Sequence, residues 1–192
     1  MDTLEERVKK AVREEIAITR YDPAWPRKFE QEKEHLLECL PRWLAVRIEH
    51  VGSTAVPGMS AKPVIDILVE VTSLEETKKL IVPVLEAEGY DYFWRPVRDD
   101  DVPPFYAWFI KRDGKGLRTH HIHMVEEWFE HWDWLCFRDY LIGHPETARE
   151  YESLKLRLAR DFPNDRVAYT RGKTEFIARV TRLAKEASRE RS

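Results

Sequence analysis

AVRIEHVGSTAVPGMSAKPVIDILVEV, residues 45–71, is the stretch that decides the fold. Ala45 to Val51 alternates apolar and polar side chains, the period of a half-buried strand. GSTAVPG (52–58) follows, with glycine and proline placed as an irregular turn requires. PVIDILVEV (63–71) is rich in β-branched residues and almost wholly apolar, as a central strand buried on both faces should be. The exception in that run is Asp66, a carboxylate among Val64, Ile65, Ile67, Leu68 and Val69. Burying it without a partner or a metal is expensive. Strand alternation places Asp66, Leu68 and Glu70 on one face. The glycine that ends the first strand lets the chain turn sharply and a ligand approach, and Ser53 offers a hydroxyl and an amide beside it. Gly52, Ser53 and Asp66 are therefore the first candidate site residues. The competing reading is an ordinary Gly-Ser turn with Asp66 paired to Lys62 or Arg47.

Working outward, the expected fold is α/β, with strands and helices interspersed and further helices at the end. Towards the N-terminus, a helix is predicted from Pro26 to Leu40, opened by proline in its first turn and burying Phe29, Leu36, Leu37 and Leu40. Leu4, Val8, Val12 and Ile16 repeat every fourth position, which predicts a further helix over residues 2–16. Residues 1–20 read as a helical extension and 21–192 as one domain. Towards the C-terminus, Ser73 and Glu76 have the spacing of a capping box. The helix they open runs towards Glu88, with Pro83 kinking or dividing it. A short strand is expected at 90–95 and a polar loop at 96–104. Two strands then span 105–111 and 117–125, joined by the hairpin signal Asp113-Gly114-Lys115-Gly116. Helices are expected over 127–142, from Pro145 to about Arg160, and around Phe176 to Ala184.

The second candidate constellation is THHIH, residues 119–123. On a strand, His121 and His123 share a face and His120 points away. Two imidazoles at that spacing suit a transition metal, provided a carboxylate such as Asp66 converges from another strand. The alternative is a polar sheet face with hydrogen-bonded histidines. His50 reads as a structural histidine. Lys62, Arg118 and Lys173 are basic residues near these segments, suited to neutralising phosphate oxygens or simply to a solvated surface.

Composition bounds what such a site does. The chain has 192 residues, 32 basic against 35 acidic and a net charge of −3, so no global field draws in a long nucleic acid. Two cysteines, Cys39 and Cys136, form no disulfide framework and read as packing residues of a reducing compartment. No run approaches the ~20 apolar residues of a membrane span, and the charged N-terminus lacks a signal-peptide core. The expected location is the cytoplasm.

Several longer blocks now resemble a known family. They are Tyr21-Asp22-Pro23-Ala24-Trp25, IEHVGSTAVPG (48–58), AKPVIDILVEV (61–71), RTHHIHMVE (118–126), FRDYL (137–141), HPETA (144–148) and AYTRGKTEFI (168–177). In that order they resemble the GrpB family (UPF0157-type) of the nucleotidyltransferase-like superfamily. The resemblance implies a mixed sheet like that of DNA polymerase β-type nucleotidyltransferases. There a Gly-Ser pair ends one strand and an Asp-hydrophobic-Asp pattern on the next holds two metal ions on nucleoside triphosphate phosphates. Gly52, Ser53 and Asp66 match that pattern, but Leu68 stands where the second carboxylate belongs. Glu70 lies a further step along, about 7 Å beyond the Leu68 position. His121 and His123 are the replacement donors available, which favours Mn or Zn over Mg as the divalent metal. GrpB-like domains fused to dephospho-coenzyme A kinases add a nucleotide or coenzyme A-related ligand to the expectation. Three readings follow: a metal-dependent nucleotidyltransferase-like protein, a nucleotide-binding module without turnover, and a metal-dependent hydrolase using Asp66, His121 and His123.

Overall fold

Side chains that alternate along β1 (Ala45–Val51) and β2 (Ile65–Val71) pair them as an antiparallel couple at one edge of a five-stranded sheet. The computed structural model describes residues 16–97 and 102–189. Residues 2–15 of the expected N-terminal helix and residues 98–101 of the 96–104 loop lie outside the described residues. β3 (Asp91–Pro96), β4 (Phe105–Arg112) and β5 (Arg118–Val125) complete the sheet in the order β1-β2-β5-β4-β3. All neighbours are antiparallel except β2 and β5, which run parallel. The sheet is therefore mixed and flanked by helices, as the sequence led us to expect.

The chain divides into two compact units. A sheet unit comprises Pro23–Ala55 and Val64–Trp132, and a helical unit comprises Val56–Pro63 with the described parts of Met1–Asp22 and Asp133–Ser192. In the sheet unit, α1 (Trp25–Cys39) opens with proline in its first turn and buries Trp25, Phe29, Glu32 and Leu36. Ile65, Ile67, Phe109 and Ile122 are fully buried, each contributing about 1.5–3 kcal/mol through lost apolar exposure. Glu32 is buried with them because Tyr90 donates a hydrogen bond to its Oε1 and Lys111 Nζ lies 2.5 Å from Oε2. Burial and the Glu32 carboxylate push the Tyr90 hydroxyl pKa up.

The segment after β2 shows what Pro83 does. Ser73 caps α2 (Leu74–Glu76) by accepting from the Glu76 amide at 3.2 Å, while the Glu76 carboxylate turns to Lys79 at 3.0 Å. A π-helical turn, Thr77–Ile81, then leads into α3 (Val82–Ala87), where Pro83 occupies the first turn. The proline's missing N–H falls just after the wider turn, and the backbone stays helical without a break from Leu74 to Ala87.

The helical unit contains α4 (Asp133–Gly143), α5 (Pro145–Asp161), α6 (Arg166–Arg171) and α7 (Thr174–Arg189). Two departures from the sequence expectation occur here and just before it. The helix expected from Glu127 begins at Asp133, after a 3-10 turn at Glu130–Trp132 in which the Trp132 indole donates to the Glu126 carbonyl. The short α6, capped by Asp165, was not anticipated because Arg166–Arg171 is too short to show a period. Val56, Met59, Phe137, Leu141, Tyr151 and Val180 form one core cluster of this unit, and Ile16, Leu158 and Tyr169 a second. No helix among the described residues is long and apolar enough to cross a membrane.

Candidate functional site

The parallel pairing of β2 with β5 sets Asp66 opposite His121 and Leu68 opposite His123. With side chains alternating along both strands, Asp66, His121 and His123 emerge on one face of the sheet. Ligand atoms of the three lie within 4.8 Å of one another. His120 takes the opposite face, where Glu32, Lys28 and Lys111 act on it. The strand reading of the histidine pair is thus the observed one.

Gly52 completes the arrangement. Its φ of +73° lies in the left-handed region, and a Cβ there would come 2.5 Å from Asp66 Oδ2. Only glycine satisfies both constraints, so the end of β1 is shaped around the Asp66 carboxylate. Ser53 then opens a 3-10 turn, Ser53–Ala55, closed by Ala55 N–H donating to the Gly52 carbonyl at 3.3 Å. His50 is structural, as expected: its Nε2 lies 3.0 Å from Thr54 Oγ1 and its ring stacks on Phe29.

The hydrogen bonds of His121 assign its tautomer. Arg118 Nη1 lies 3.2 Å from His121 Nε2, and a guanidinium only donates, so Nε2 is the acceptor. The proton therefore sits on Nδ1, which donates to Asp66 Oδ1 at 2.9 Å. A cation placed here displaces either that proton or Arg118. His123 is buried, and burial drives its pKa well below the usual value, leaving a neutral imidazole with lone pairs to give. Burial and then Arg95 lower His131 to about 4. One carboxylate and two imidazoles fit a divalent transition metal, and fit Mg less well because it prefers an all-oxygen shell.

Around these three residues stand side chains that the sequence reading missed. Tyr106 and Trp108, two apart on β4, share the site face: the Tyr106 ring lies 5.7 Å from His123 and 4.4 Å from His131, and Trp108 lies 5.3 Å from His121. Arg95 and Arg118 both lie over the Trp108 ring, at 4.7 and 5.9 Å. The alternation in FYAWFIKR was the signal for Tyr106 and Trp108; His131, in a 3-10 turn, had none. Leu68 is fully buried where a second carboxylate was sought, and Glu70 is opposite Arg47 in the register, one step farther on. Arg118 is therefore brought to the Asp66 group. Lys62 and Lys173 belong to the helical unit, where their ammonium groups lie 5.3 and 4.5 Å from the centre of the Tyr169 ring. The two cysteines are half-buried and unbridged, and burial raises the Cys39 thiol pKa, which fits packing rather than reactivity.

Comparison with known proteins shows the family to which the chain belongs. The family model described as GrpB protein matches residues 15–183. A UPF0157 protein of Pseudomonas aeruginosa is 43% identical over 175 residues, 91% of this chain and 69% of that one. The crystal structure of the conserved protein GrpB from Enterococcus faecalis superposes with a TM-score of 0.76 at 33% identity, over 90% of this chain and 99% of that one. More remotely, a dephospho-CoA kinase of Mycolicibacterium paratuberculosis is 29% identical over 182 residues, 85% of this chain but 44% of the kinase. A cytoplasmic RNA terminal U-transferase matches with a TM-score of 0.45 at 14% identity, over 80% of this chain and 43% of that one.

Proposed function

We propose, for a chain that belongs to the GrpB family, a metal-dependent, nucleotidyltransferase-like activity on a nucleotide or other phosphorylated small molecule. The observation that carries the reading is the convergence of Asp66, His121 and His123 beside a glycine that cannot be replaced without striking Asp66. Asp66, His121 and His123 would hold the cation, which supplies charge neutralisation and polarisation at a phosphoryl group. Gly52 keeps the backbone close to the carboxylate, and the Ser53 amide and hydroxyl are donors for a phosphate oxygen. Arg118 adds a charge at His121, and releasing it from Nε2 would turn its fork towards an anion. Asp66 holds the proton of His121 at Nδ1 and orients the ring. Lys62 and Lys173, in the helical unit, are the remaining candidates for phosphate binding.

The imidazole-rich donor set favours a second reading, hydrolysis at the same centre, because two neutral nitrogens leave a bound water more acidic than an all-carboxylate shell does. The test is metal analysis of the purified protein, followed by thermal shift with ATP, GTP, CTP, UTP and coenzyme A, each with Mg, Mn or Zn. Wild type and Asp66→Asn run side by side. A ligand at a hundredfold excess over its Kd stabilises by about 2.7 kcal/mol, or about 5–10 °C in a chain of this size. A nucleotide-with-metal shift absent in Asp66→Asn supports the transferase-like reading. A shift with metal alone, and water-dependent product release, would move the hydrolase ahead. Nucleotide binding without any turnover would identify a binding module. No shift with any pair would defeat the proposal.

A further inference from the structure

Arg95 shares a face of the sheet with the Asp66 group, and the proposed activity leaves it unused. In the register of β3 and β4 it stands opposite Tyr106, and Phe93 stands opposite Trp108. In the register of β4 and β5, Trp108 stands opposite His123. Residues directly opposite in an antiparallel pair project to the same side, so these five line one surface. The contacts agree. The Arg95 guanidinium lies 4.7 Å from the centre of the Trp108 ring, and that ring lies 5.3 Å from His121 and 6.1 Å from His123. One indole therefore links Arg95 to both imidazoles.

Arg95 is held by that ring and by no carboxylate. Among the described residues it makes no ion pair and no hydrogen bond, although it is only half-exposed. Other arginines of the sheet unit are closed: Arg112 lies 2.8 Å from Asp91 Oδ2, and Arg47 lies 3.0 Å from Glu49 Oε1. Contact with an indole offsets part of a cation's charge but satisfies none of its N–H groups. Trp108 adds a second open donor. It is 8% exposed, and its indole N–H is buried with no acceptor among the described residues. A guanidinium has five N–H donors and an indole one, and neither has an acceptor. The pair suits an anion and nothing neutral or cationic.

We propose that Arg95, seated on Trp108, binds the outer phosphate of a ligand whose inner phosphate is taken by the cation at Asp66, His121 and His123. The site then selects a chain of two or more phosphates over a single one. This inference rests on the cation reading of the Asp66 group. Strand spacing sets the selectivity: β4 lies between β3 and β5, so Arg95 and His123 start from strands about 10 Å apart. A lone tetrahedral anion on the cation leaves most of that distance open, whereas a diphosphate extends along it. Arg118, 3.2 Å from His121 Nε2, stands at the inner end and Arg95 at the outer.

The experiment is calorimetric titration of the full chain, first with Mn alone and then with inorganic orthophosphate and pyrophosphate on the Mn-loaded protein. Wild type should bind pyrophosphate more tightly than orthophosphate. Arg95→Met removes the fork and keeps a stem on Trp108. It should bind Mn as wild type does, weaken pyrophosphate about tenfold or more, and change orthophosphate less than about twofold. Arg95→Lys, a point charge without the fork, should recover part of the loss. If Arg95→Met does not fold, Arg95→Lys decides, because loss of the fork alone should still weaken pyrophosphate measurably. Failure of wild type to bind Mn overturns the cation reading and this inference with it. Mn binding without pyrophosphate binding, unchanged pyrophosphate affinity in the folded variants, or equal losses for the two anions overturns the Arg95 assignment and leaves the cation reading standing.

Discussion

Gly52→Ala is the sharpest probe of how the Asp66 carboxylate is seated. Two costs arise, and the structure separates them. The first is conformational: alanine at φ +73° sits in the left-handed region, at roughly 1–2 kcal/mol. The second is steric: the new Cβ would meet Asp66 Oδ2 at 2.5 Å, Cβ at 3.1 Å and Cγ at 3.2 Å. The carboxylate must then move off His121 Nδ1, losing a hydrogen bond to a charged group of about 1.5–3 kcal/mol. Gly116→Ala, also in the sheet unit, is the control, because its φ of +79° carries the first cost and nothing lies within 4 Å to add the second. Urea denaturation of both variants should give about 1–2 kcal/mol for Gly116→Ala and about 2.5–5 kcal/mol for Gly52→Ala. At about 2–4 °C per kcal/mol, the two melting temperatures should differ by several degrees. Adding Asp66→Ala removes Oδ2 and Cγ, so the double variant should lose less than the sum of the single losses, with a coupling above 0.5 kcal/mol. Equal losses in the two glycine variants, or strict additivity with Asp66→Ala, would refute the claim that Gly52 makes room for this carboxylate.

Other substitutions test the supporting structure. Glu32→Ala leaves Lys111 without its buried partner and should cost about 2–4 kcal/mol in urea denaturation, held to that range because Lys111 is partly exposed. Ser73→Ala removes the acceptor of the Glu76 amide and should cost about 1 kcal/mol, read as a lower denaturation midpoint at unchanged slope. His131 has a folded pKa of about 4, below the ~6.5 of an unfolded histidine, so the unfolded chain binds more protons between those values. Stability from this group is fully present above about pH 6.5 and is lost as pH falls towards 4, about 2 kcal/mol of it by pH 5. His131→Phe, measured without added metal, should flatten the acid limb of the stability curve by that amount.

The sheet was legible because its signals are local. Ala45–Val51 matched to the residue, since Gly52 ends the alternation abruptly, and the Asp-Gly-Lys-Gly run marked the β4–β5 hairpin. The two-residue period also sorted His121 and His123 from His120. What the residues alone did not reveal was which strand would lie beside Asp66. β2 and β5 are parallel neighbours with β3 and β4 intervening in sequence, and parallel pairing leaves no turn signal between partners. Lys155 was illegible for a different reason: in PETAREYESLKLRLARD it looks like one more charged position on a half-exposed helix. Only its approach to the Ser60 carbonyl, 95 residues away in sequence, reveals it as buried.

Leu68 has a chemical consequence that follows from charge. Two carboxylates on β2 would present two negative charges and call for more than one divalent cation to receive a polyphosphate. Here Asp66 is the sole acid of the cluster, and the imidazoles beside it contribute lone pairs without charge. Leu68, fully buried and opposite His123 in the register, helps exclude the water that would otherwise favour protonation of that ring. One divalent cation held by this set would retain a net positive charge, and Arg118 lies within hydrogen-bonding distance of His121. On the proposed reading, that surplus would attract an anion without a second cation. On the same reading, a carboxylate with two imidazoles from a neighbouring strand would hold one cation backed by arginine, where two carboxylates would call for a two-cation clamp.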